Sequence, residues 1–238
     1  YIPLKGSVIR PYYPKDSMRT SCDIDILVKE ENLESAIDSL VQNGFNCGER
    51  HYHDVSLFSP ANIHLELHFN IQETIEKLDA VLKDAWRHTK LTDGSRYEFT
   101  DEFFVFHMFA HMSYHFLGGG CGIKSLMDIW VMEHRMGVTY ESARELLEKA
   151  GIYRFAAEIS KLAEICFSDK PKDKFSDTIL SYIFSGGVYG TFQNKMTVMK
   201  LFYNSNLQDL DKIKTIDKEG ILTVEALMLC NDTKVAED

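Results

Sequence analysis

A short apolar run that carries two carboxylates limits the possible folds of this chain most. Residues 22–28 read Cys-Asp-Ile-Asp-Ile-Leu-Val, so Asp23 and Asp25 alternate with apolar residues. Because alternate residues of a strand point to the same face, the pattern predicts a strand with both carboxylates on one side and the apolar residues, Cys22 included, in a core. Two neighbouring negative charges repel, and a divalent cation between them is the usual remedy. The run therefore predicts a sheet with a candidate metal site, with two solvated surface acids as the alternative.

A glycine-serine pair, Gly6-Ser7, follows a short apolar segment upstream of the two acids. We expect residues 2–5 to form a strand that ends at this pair, and residues 8–20 to form a loop or a single helical turn. Backbone N–H groups at such a turn can face an anion. An ordinary turn is the alternative interpretation. A phosphate-binding turn beside paired carboxylates indicates phosphoryl or nucleotidyl transfer.

A third acid lies on a later segment with clean alternation. Over residues 63–69, the apolar residues predict one face of a strand and His64, Glu66 and His68 the other. The turn Ser59-Pro60-Ala61-Asn62 predicts a hairpin with the preceding strand. If this strand pairs near the first, Glu66 joins the two aspartates on one polar face. An exposed glutamate paired with a basic residue is the alternative.

The pattern changes from alternating strands to helices beyond a polar, turn-rich segment, residues 90–100. Before it, helices are predicted over residues 30–43 and 73–89. After it, a central buried helix is expected over residues 101–117, and the further predicted helices follow it: 123–136, 140–150, 152–167, 175–184, 192–203 and 220–230. The chain is therefore predicted to be α+β, with one domain over residues 1–92 and a helical domain over residues 93–238.

Composition excludes several classes of protein. The net charge of −10 disfavours a broad basic surface for long nucleic acid. The sequence also has no apolar run of about 18 residues, which is the length that predicts a membrane span. The five cysteines are scattered and odd in number, which is typical of reduced thiols in a cytoplasmic protein. Nothing in the sequence reports the oligomeric state.

The motifs together resemble the polymerase-β-like nucleotidyltransferase superfamily. Its signature is a Gly-Ser pair after the first strand, an Asp-x-Asp strand and a third acid on a later strand, here Gly6-Ser7, Asp23-Ile24-Asp25 and Glu66. More specifically, the chain resembles the uncharacterised bacterial nucleotidyltransferase family, through Leu4-Lys5-Gly6-Ser7, Arg19, Leu65-Glu66-Leu67-His68 and Lys124-Ser125-Leu126-Met127-Asp128. The resemblance implies a nucleotidyltransferase-type mixed β-sheet with flanking helices, an all-helical domain after it, and an active site in the cleft between them.

The resemblance also implies a reaction: transfer of an NMP group from a nucleoside triphosphate to an unknown acceptor hydroxyl, with Mg²⁺ or Mn²⁺ as cofactor. Hard divalent cations prefer carboxylate oxygens, and two such ions can stabilise both the attacking and the leaving oxygen. Asp23, Asp25 and Glu66 are the expected metal ligands and catalytic residues. The expected nucleotide-binding residues are Lys5, Gly6, Ser7, Arg19, His68, His111, Lys124 and Asp128. A non-catalytic nucleotide-binding regulatory module of the toxin–antitoxin kind is the alternative.

Histidines leave two further hypotheses open. His107, His111 and His115 recur every four residues and share one stripe of a predicted buried helix. A zinc site is conceivable at that spacing, although no HExxH pattern is present; core histidines are the alternative. His53 is expected on the strand before Glu66, where it either faces the same pocket or lies on the surface.

Overall fold

The computed structural model describes residues 1–73, 75–117, 120–172 and 174–187. It confirms the predicted fold class: a five-stranded mixed sheet with flanking helices is followed by a helical region. The described residues divide into two compact units, residues 1–104 with 135–137, and residues 105–134 with those from 138 onward. The domain boundary after residue 92 stays a prediction.

The sheet of the first unit has the strand order β1-β2-β5-β4-β3. Its strands are β1 Ile2–Pro3, β2 Asp23–Leu27, β3 Asn46–Arg50, β4 Asp54–Phe58 and β5 His64–His68. The central pair β2 and β5 is parallel, and every other neighbouring pair is antiparallel. This parallel pairing sets Asp25 directly opposite Glu66.

The predicted hairpin between β4 and β5 is confirmed. Asn62 donates its backbone N–H to the Ser59 carbonyl at 2.8 Å, and Ser59 accepts a second bond on its hydroxyl from the Ile63 N–H at 2.9 Å. Asn62 has φ 61°, a left-handed conformation that asparagine tolerates better than most residues. The turn therefore fixes the register in which β4 and β5 pair.

One face of the sheet is the apolar core of the first unit. Leu57, Leu65 and Leu67 project from β4 and β5 into it and are almost fully buried. Helix α2, Leu33–Gln42, packs its apolar residues against the same cluster, and the chain leaves the helix through Gly44 at φ 87°. Because side chains alternate along a strand, Glu66 and His68 project from the opposite face.

The burial along β2 corrects the sequence prediction. Ile26 packs against the core cluster as expected, but Ile24 is 36% exposed and Cys22 is an exposed thiol. Asp25, in contrast, is only 8% exposed. The apolar cluster reaches this strand only from Ile26 onward, so alternation alone misplaced the first apolar residues of the run.

The segment between β1 and β2 is more helical than predicted. It forms a single turn of helix, α1 Gly6–Ile9, and 3₁₀ turns at Arg10–Tyr12 and Asp16–Met18. The helix predicted over residues 73–89 is shorter in the structure, where α3 covers Glu76–Leu82 and a 3₁₀ turn covers Ala85–His88.

The polar segment over residues 90–100 is not a simple turn. It forms a two-stranded hairpin of β6 Thr89–Asp93 and β7 Arg96–Phe99, with Gly94 at φ 52° in its turn. Tyr97 donates its backbone N–H to the Tyr1 carbonyl at 2.8 Å, which ties this hairpin to the start of the chain. Because β6 is mostly exposed, it lacks the apolar alternation by which a strand is predicted.

The helical region contains the predicted long helix α4, Asp101–Leu117, whose Phe106, Phe109 and Phe116 are fully buried. Its other helices are α5 Ile123–Val131, continued by a π-helical turn Met132–Met136, α6 Arg144–Lys149, α7 Tyr153–Phe167 and α8 Lys174–Gly186. The helices expected over 192–203 and 220–230 lie outside the described residues. In the described part of the chain, no helix is both long and apolar enough to cross a membrane.

Candidate active site

Three polar side chains meet on the face of the sheet opposite the core cluster. Asp25 and Glu66 are direct partners across β2 and β5, and His68 follows Glu66 by two residues on the same face. His68 Nε2 lies 3.0 Å from Asp25 Oδ1 and 3.5 Å from Glu66 Oε2. Each of the three offers a ligand atom within 4.8 Å of the others, so together they could hold a metal ion.

Asp23, the third predicted metal ligand, is half-buried on the same strand two residues before Asp25. Its strand partner is His64. Asp23 does not belong to the group of converging donors formed by Asp25, Glu66 and His68. Its role as a metal ligand stays a prediction.

Lys5 completes the charge balance of the acid group. Its Nζ lies 3.2 Å from Asp25 Oδ1, and the Leu4 backbone N–H donates to the Asp25 carbonyl at 3.1 Å. Lys5 has φ 41° and ψ −107°, outside the conformations that non-glycine residues prefer. Backbone strain of this kind costs about 1–3 kcal/mol and is concentrated at functional sites.

The charges around Asp25 determine its protonation. Burial by itself raises the pKa of Asp25, but the charge of Lys5 and the hydrogen bond with His68 outweigh it and hold that pKa well below its ordinary value. The hydrogen bond with His68 also lowers the pKa of Glu66. Burial lowers the pKa of His68, and its bonds to the two carboxylates reverse this and raise it. Both acids are therefore ionised at neutral pH.

Gly6 allows a buried arginine to approach the backbone. Arg19 is 6% exposed, and a methyl group built on Gly6 would lie 2.7 Å from Arg19 Cζ. Only a residue without a side chain permits this contact. The neighbouring Ser7 is exposed and donates its backbone N–H to the Leu4 carbonyl at 3.0 Å, which leaves its hydroxyl as the group available to a ligand.

A second polar cluster lies beside His68. Asp54 opens β4 directly opposite His68 and is 3% exposed. His53 Nε2 lies 2.8 Å from Asp54 Oδ2, and His51 Nδ1 lies 3.2 Å from Asp54 Oδ1. The rings of His53 and His68 stack with their centroids 5.5 Å apart. His53 therefore adjoins the acid group, which is one of the two positions expected for it, whereas no sequence pattern marks Asp54.

Glu73 is a titratable group that sequence reasoning missed. Burial raises its pKa to about 7, although the charges of Lys5 and His68 act in the opposite direction. Glu73 follows β5 by five residues and lies in an irregular segment, because α3 begins only at Glu76 and not at residue 73 as the sequence predicted. After Asp25 and Glu66, it is a third carboxyl group that interacts electrostatically with Lys5 and His68.

A cavity of about 390 Å³ opens where β2 and β5 end. Leu27, Lys29, Phe69 and Trp86 are among the residues that line it. The ammonium of Lys29 lies over the indole ring of Trp86, 5.5 Å from the ring centroid. Lys29 lies two residues beyond the end of β2 and four residues after Asp25, a distance of about 13 Å in an extended chain.

The remaining predicted nucleotide-binding residues, His111, Lys124 and Asp128, belong to the second unit. His111 Nε2 lies 3.1 Å from His115 Nε2, Lys124 is half-buried, and Asp128 is 4% exposed. Their roles in nucleotide binding stay predictions.

The three histidines along α4 differ in burial, so only part of this row belongs to the core. His107 is buried, His111 is half-buried and His115 is exposed. Both groups of converging metal donors found among the described residues lie in the first unit and use no histidine of this stripe.

The mixed sheet and the acids on its parallel strands agree with the nucleotidyltransferase class that the motifs resemble. A family model described as an uncharacterised nucleotidyltransferase matches residues 1–168. The chain belongs to this uncharacterised nucleotidyltransferase family. No curated protein and no solved structure matches the chain significantly.

The contact between Gly6 and Arg19 predicts a specific coupling of two substitutions. Gly6→Ala should destabilise the protein, by about 1–3 kcal/mol, because the new methyl group displaces a buried guanidinium. In an Arg19→Ala background the same change should be neutral or stabilising by up to about 1 kcal/mol, since alanine favours a helix over glycine. Urea unfolding of the four proteins measures the coupling, and equal effects of Gly6→Ala in both backgrounds would contradict it.

The pKa of Glu73 predicts a pH-dependent effect of Glu73→Gln without added metal. With its folded-state pKa raised to about 7, Glu73 binds more protons in the folded than in the unfolded chain between about pH 4.5 and 7, so it destabilises increasingly as pH rises. A glutamine at this position removes this destabilisation, because its amide side chain does not ionise. The variant should match wild type near pH 4 and exceed it near pH 8 by about 1 kcal/mol, allowing for solvent screening.

Thermal unfolding across this pH range measures the difference. Glu76→Gln, which changes an exposed glutamate of α3, is the matched control and should show no such divergence. A constant offset of the Glu73 variant at all pH values would contradict the titration of Glu73.

Proposed function

We propose that this protein transfers an NMP group from a nucleoside triphosphate to an acceptor hydroxyl, with Mg²⁺ or Mn²⁺ bound at Asp25, Glu66 and Asp23. One observation supports the proposal above all: Asp25 and Glu66 are strand partners whose carboxylates converge within 4.8 Å in a chain of a nucleotidyltransferase family. Carboxylates on adjacent strands are rigidly placed, as hard divalent cations require.

In the proposed reaction, the acceptor oxygen forms a bond to the α-phosphorus and the bond to pyrophosphate breaks. The acceptor proton passes to a base, for which Glu66 is the nearest exposed carboxylate of the group, with 28% of its side chain accessible. A bound divalent cation would supply charge stabilisation to the phosphoryl group. Asp25 is already ionised at neutral pH, so it accepts a cation without first losing a proton.

The basic residues of the first unit fit the triphosphate. Lys5 lies against Asp25, so a cation bound at that carboxylate competes with its ammonium and frees Lys5 for a phosphate oxygen. Arg19 is held against Gly6, and a guanidinium binds phosphate in a fixed geometry. Ser7 offers its exposed hydroxyl. We assign phosphate binding to these residues, and nucleotide contacts from His111, Lys124 and Asp128 remain part of the same proposal.

His68 has a positioning role in this scheme. Its Nε2 contacts both Asp25 and Glu66, so a single imidazole sets the distance between the two carboxylates. A ring that is 5% exposed and stacked on His53 has little freedom to move.

We assign the acceptor to the cavity beside Lys29 and Trp86. Ligands commonly bind outside the carboxyl ends of strands, and this cavity lies at the ends of the two strands that carry the acids. Its indole ring and ammonium suit an acceptor with a planar ring and a negative charge.

The free cysteines in the described chain, Cys22, Cys47, Cys121 and Cys166, support a cytoplasmic location for the reaction.

Asp25→Asn should abolish the reaction while preserving the fold. The amide keeps the size of the side chain but removes the charge, so release of pyrophosphate from Mg-ATP should fall by about 100-fold or more. Asp38→Asn changes an exposed acid of α2 and should keep wild-type turnover. The measurement uses a panel of hydroxyl acceptors that includes sugars, RNA ends and peptides.

Two results would overturn this proposal. Full turnover by the Asp25→Asn protein would show that Asp25 is not required. Binding of Mg-ATP by wild type without product from any acceptor would favour the regulatory module instead.

Trp86 provides a direct test of the acceptor cavity. The chain has two tryptophans, so Trp130→Phe leaves Trp86 as the sole indole reporter. An aromatic acceptor should quench its fluorescence, and Trp86→Ala should raise the KM for that acceptor by about 2–10-fold, the loss of one ring contact. The KM for ATP should stay within about twofold of wild type. Quenching by Mg-ATP alone would place the nucleoside in the cavity and contradict the assignment.

A further inference from the structure

The cluster beside the acid group contains a different set of metal donors. His53, Asp54 and His68 each offer a ligand atom, and these atoms lie within 4.8 Å of one another. Asp54 and His68 face each other across the pairing of β4 and β5, and His53 immediately precedes Asp54. The donors therefore lie together where β4 begins and β5 ends.

We propose that His53, Asp54 and His68 form a binding site for a divalent transition-metal ion such as Zn²⁺ or Co²⁺, separate from the carboxylate site for Mg²⁺. Two imidazoles and one carboxylate are a donor set that borderline ions bind, whereas Mg²⁺ prefers oxygen ligands alone. The site needs no group outside the first unit.

A buried nitrogen supports this site. His53 Nδ1 is buried and has no hydrogen-bond partner, although Nε2 of the same ring lies 2.8 Å from Asp54 Oδ2. A buried polar atom without a partner costs free energy, and a bound ion removes that cost when the imidazole turns its nitrogen toward it.

The surroundings of Asp54 support it as well. His51 Nδ1 contacts Asp54 Oδ1 at 3.2 Å, and His51 Nε2 lies 3.4 Å from Glu49 Oε2. Partners of this kind hold a ligating carboxylate in position and tune its affinity. One oxygen of Asp54 is thus fixed by His51, while the other lies on the side of His53.

His68 belongs to both donor groups, which connects the two sites. Its Nε2 contacts Asp25 and Glu66, and its ring stacks on His53. An ion bound through His68 and Asp54 draws this imidazole from the carboxylates. The transition-metal site therefore acts on the arrangement of the acid group from within the same sheet.

Binding of Co²⁺ to metal-free full-length protein tests the proposal. A visible absorption band and one equivalent of bound Co²⁺, displaced by Zn²⁺, are expected for wild type. His53→Ala and Asp54→Asn should each weaken the affinity by about 100-fold, and His51→Ala by about 10-fold. Asp25→Asn should bind Co²⁺ at least as tightly as wild type does, since Asp25 is not a ligand of this ion and its carboxylate holds His68 in the metal-free protein.

The matched control is His64→Ala, which removes another β5 histidine whose Nε2 contacts Ser56 Oγ at 3.0 Å and should leave Co²⁺ binding unchanged. Circular dichroism of each variant establishes that it is folded; if Asp54→Asn unfolds, the half-buried His53 carries the test. Loss of binding in Asp25→Asn with retention in His53→Ala would place the ion among the carboxylates and overturn the proposal, as would no stoichiometric binding by wild type. None of these results depends on nucleotidyl transfer.

Discussion

The parallel pairing of β2 with β5 is the constraint on which the rest of the site depends. Residues 43 positions apart in sequence, Asp25 and His68, come within hydrogen-bonding distance because these two strands are neighbours. A parallel pair needs a long crossover, which here contains α2, β3 and β4. The same crossover supplies the apolar residues that cover the opposite face, so the core and the acid group are consequences of one arrangement of strands.

Charge compensation explains how the acids exist in the fold. A buried carboxylate without a partner is costly, and Asp25 is buried. Lys5 and His68 provide that partnership from two sides, at 3.2 and 3.0 Å from one carboxylate oxygen. The strained backbone of Lys5 is part of this balance, because Lys5 follows β1 and its ammonium reaches a carboxylate on the neighbouring strand β2. A divalent cation bound at Asp25 would take over the charge compensation that Lys5 and His68 already provide.

The sequence predicted the parts of this structure that depend on strong periodicity. The alternation around Glu66, the turn at residues 59–62 and the long helix α4 follow from patterns of apolar and turn-forming residues. The convergence of Asp25 with Glu66 was expected only if their strands paired, and the apolar pattern does not determine that pairing. The β6–β7 hairpin was missed because a mostly exposed strand has no apolar face to reveal it. Ile24 was misplaced because alternation gives the direction of a side chain and not the extent of the layer that covers it.

Other features had no sequence signal because they depend on contacts between distant segments. Asp54 became part of a cluster only through the register of β4 against β5, and Glu73 was identified by its electrostatic environment alone.

The two donor groups share one imidazole, and this sharing is the main physical consequence of the register. Asp25 with Glu66 presents oxygens, while His53 with Asp54 presents nitrogen and oxygen, and His68 is within reach of both. Because ligand type separates hard from borderline cations, the two groups differ in the ions that their donors favour. A ring that is stacked on one side and hydrogen-bonded on the other cannot serve both groups fully. An ion bound through His68 would therefore weaken the hold of this imidazole on Asp25 and Glu66, and the strand pairing that formed the acid group also placed a second donor group beside it.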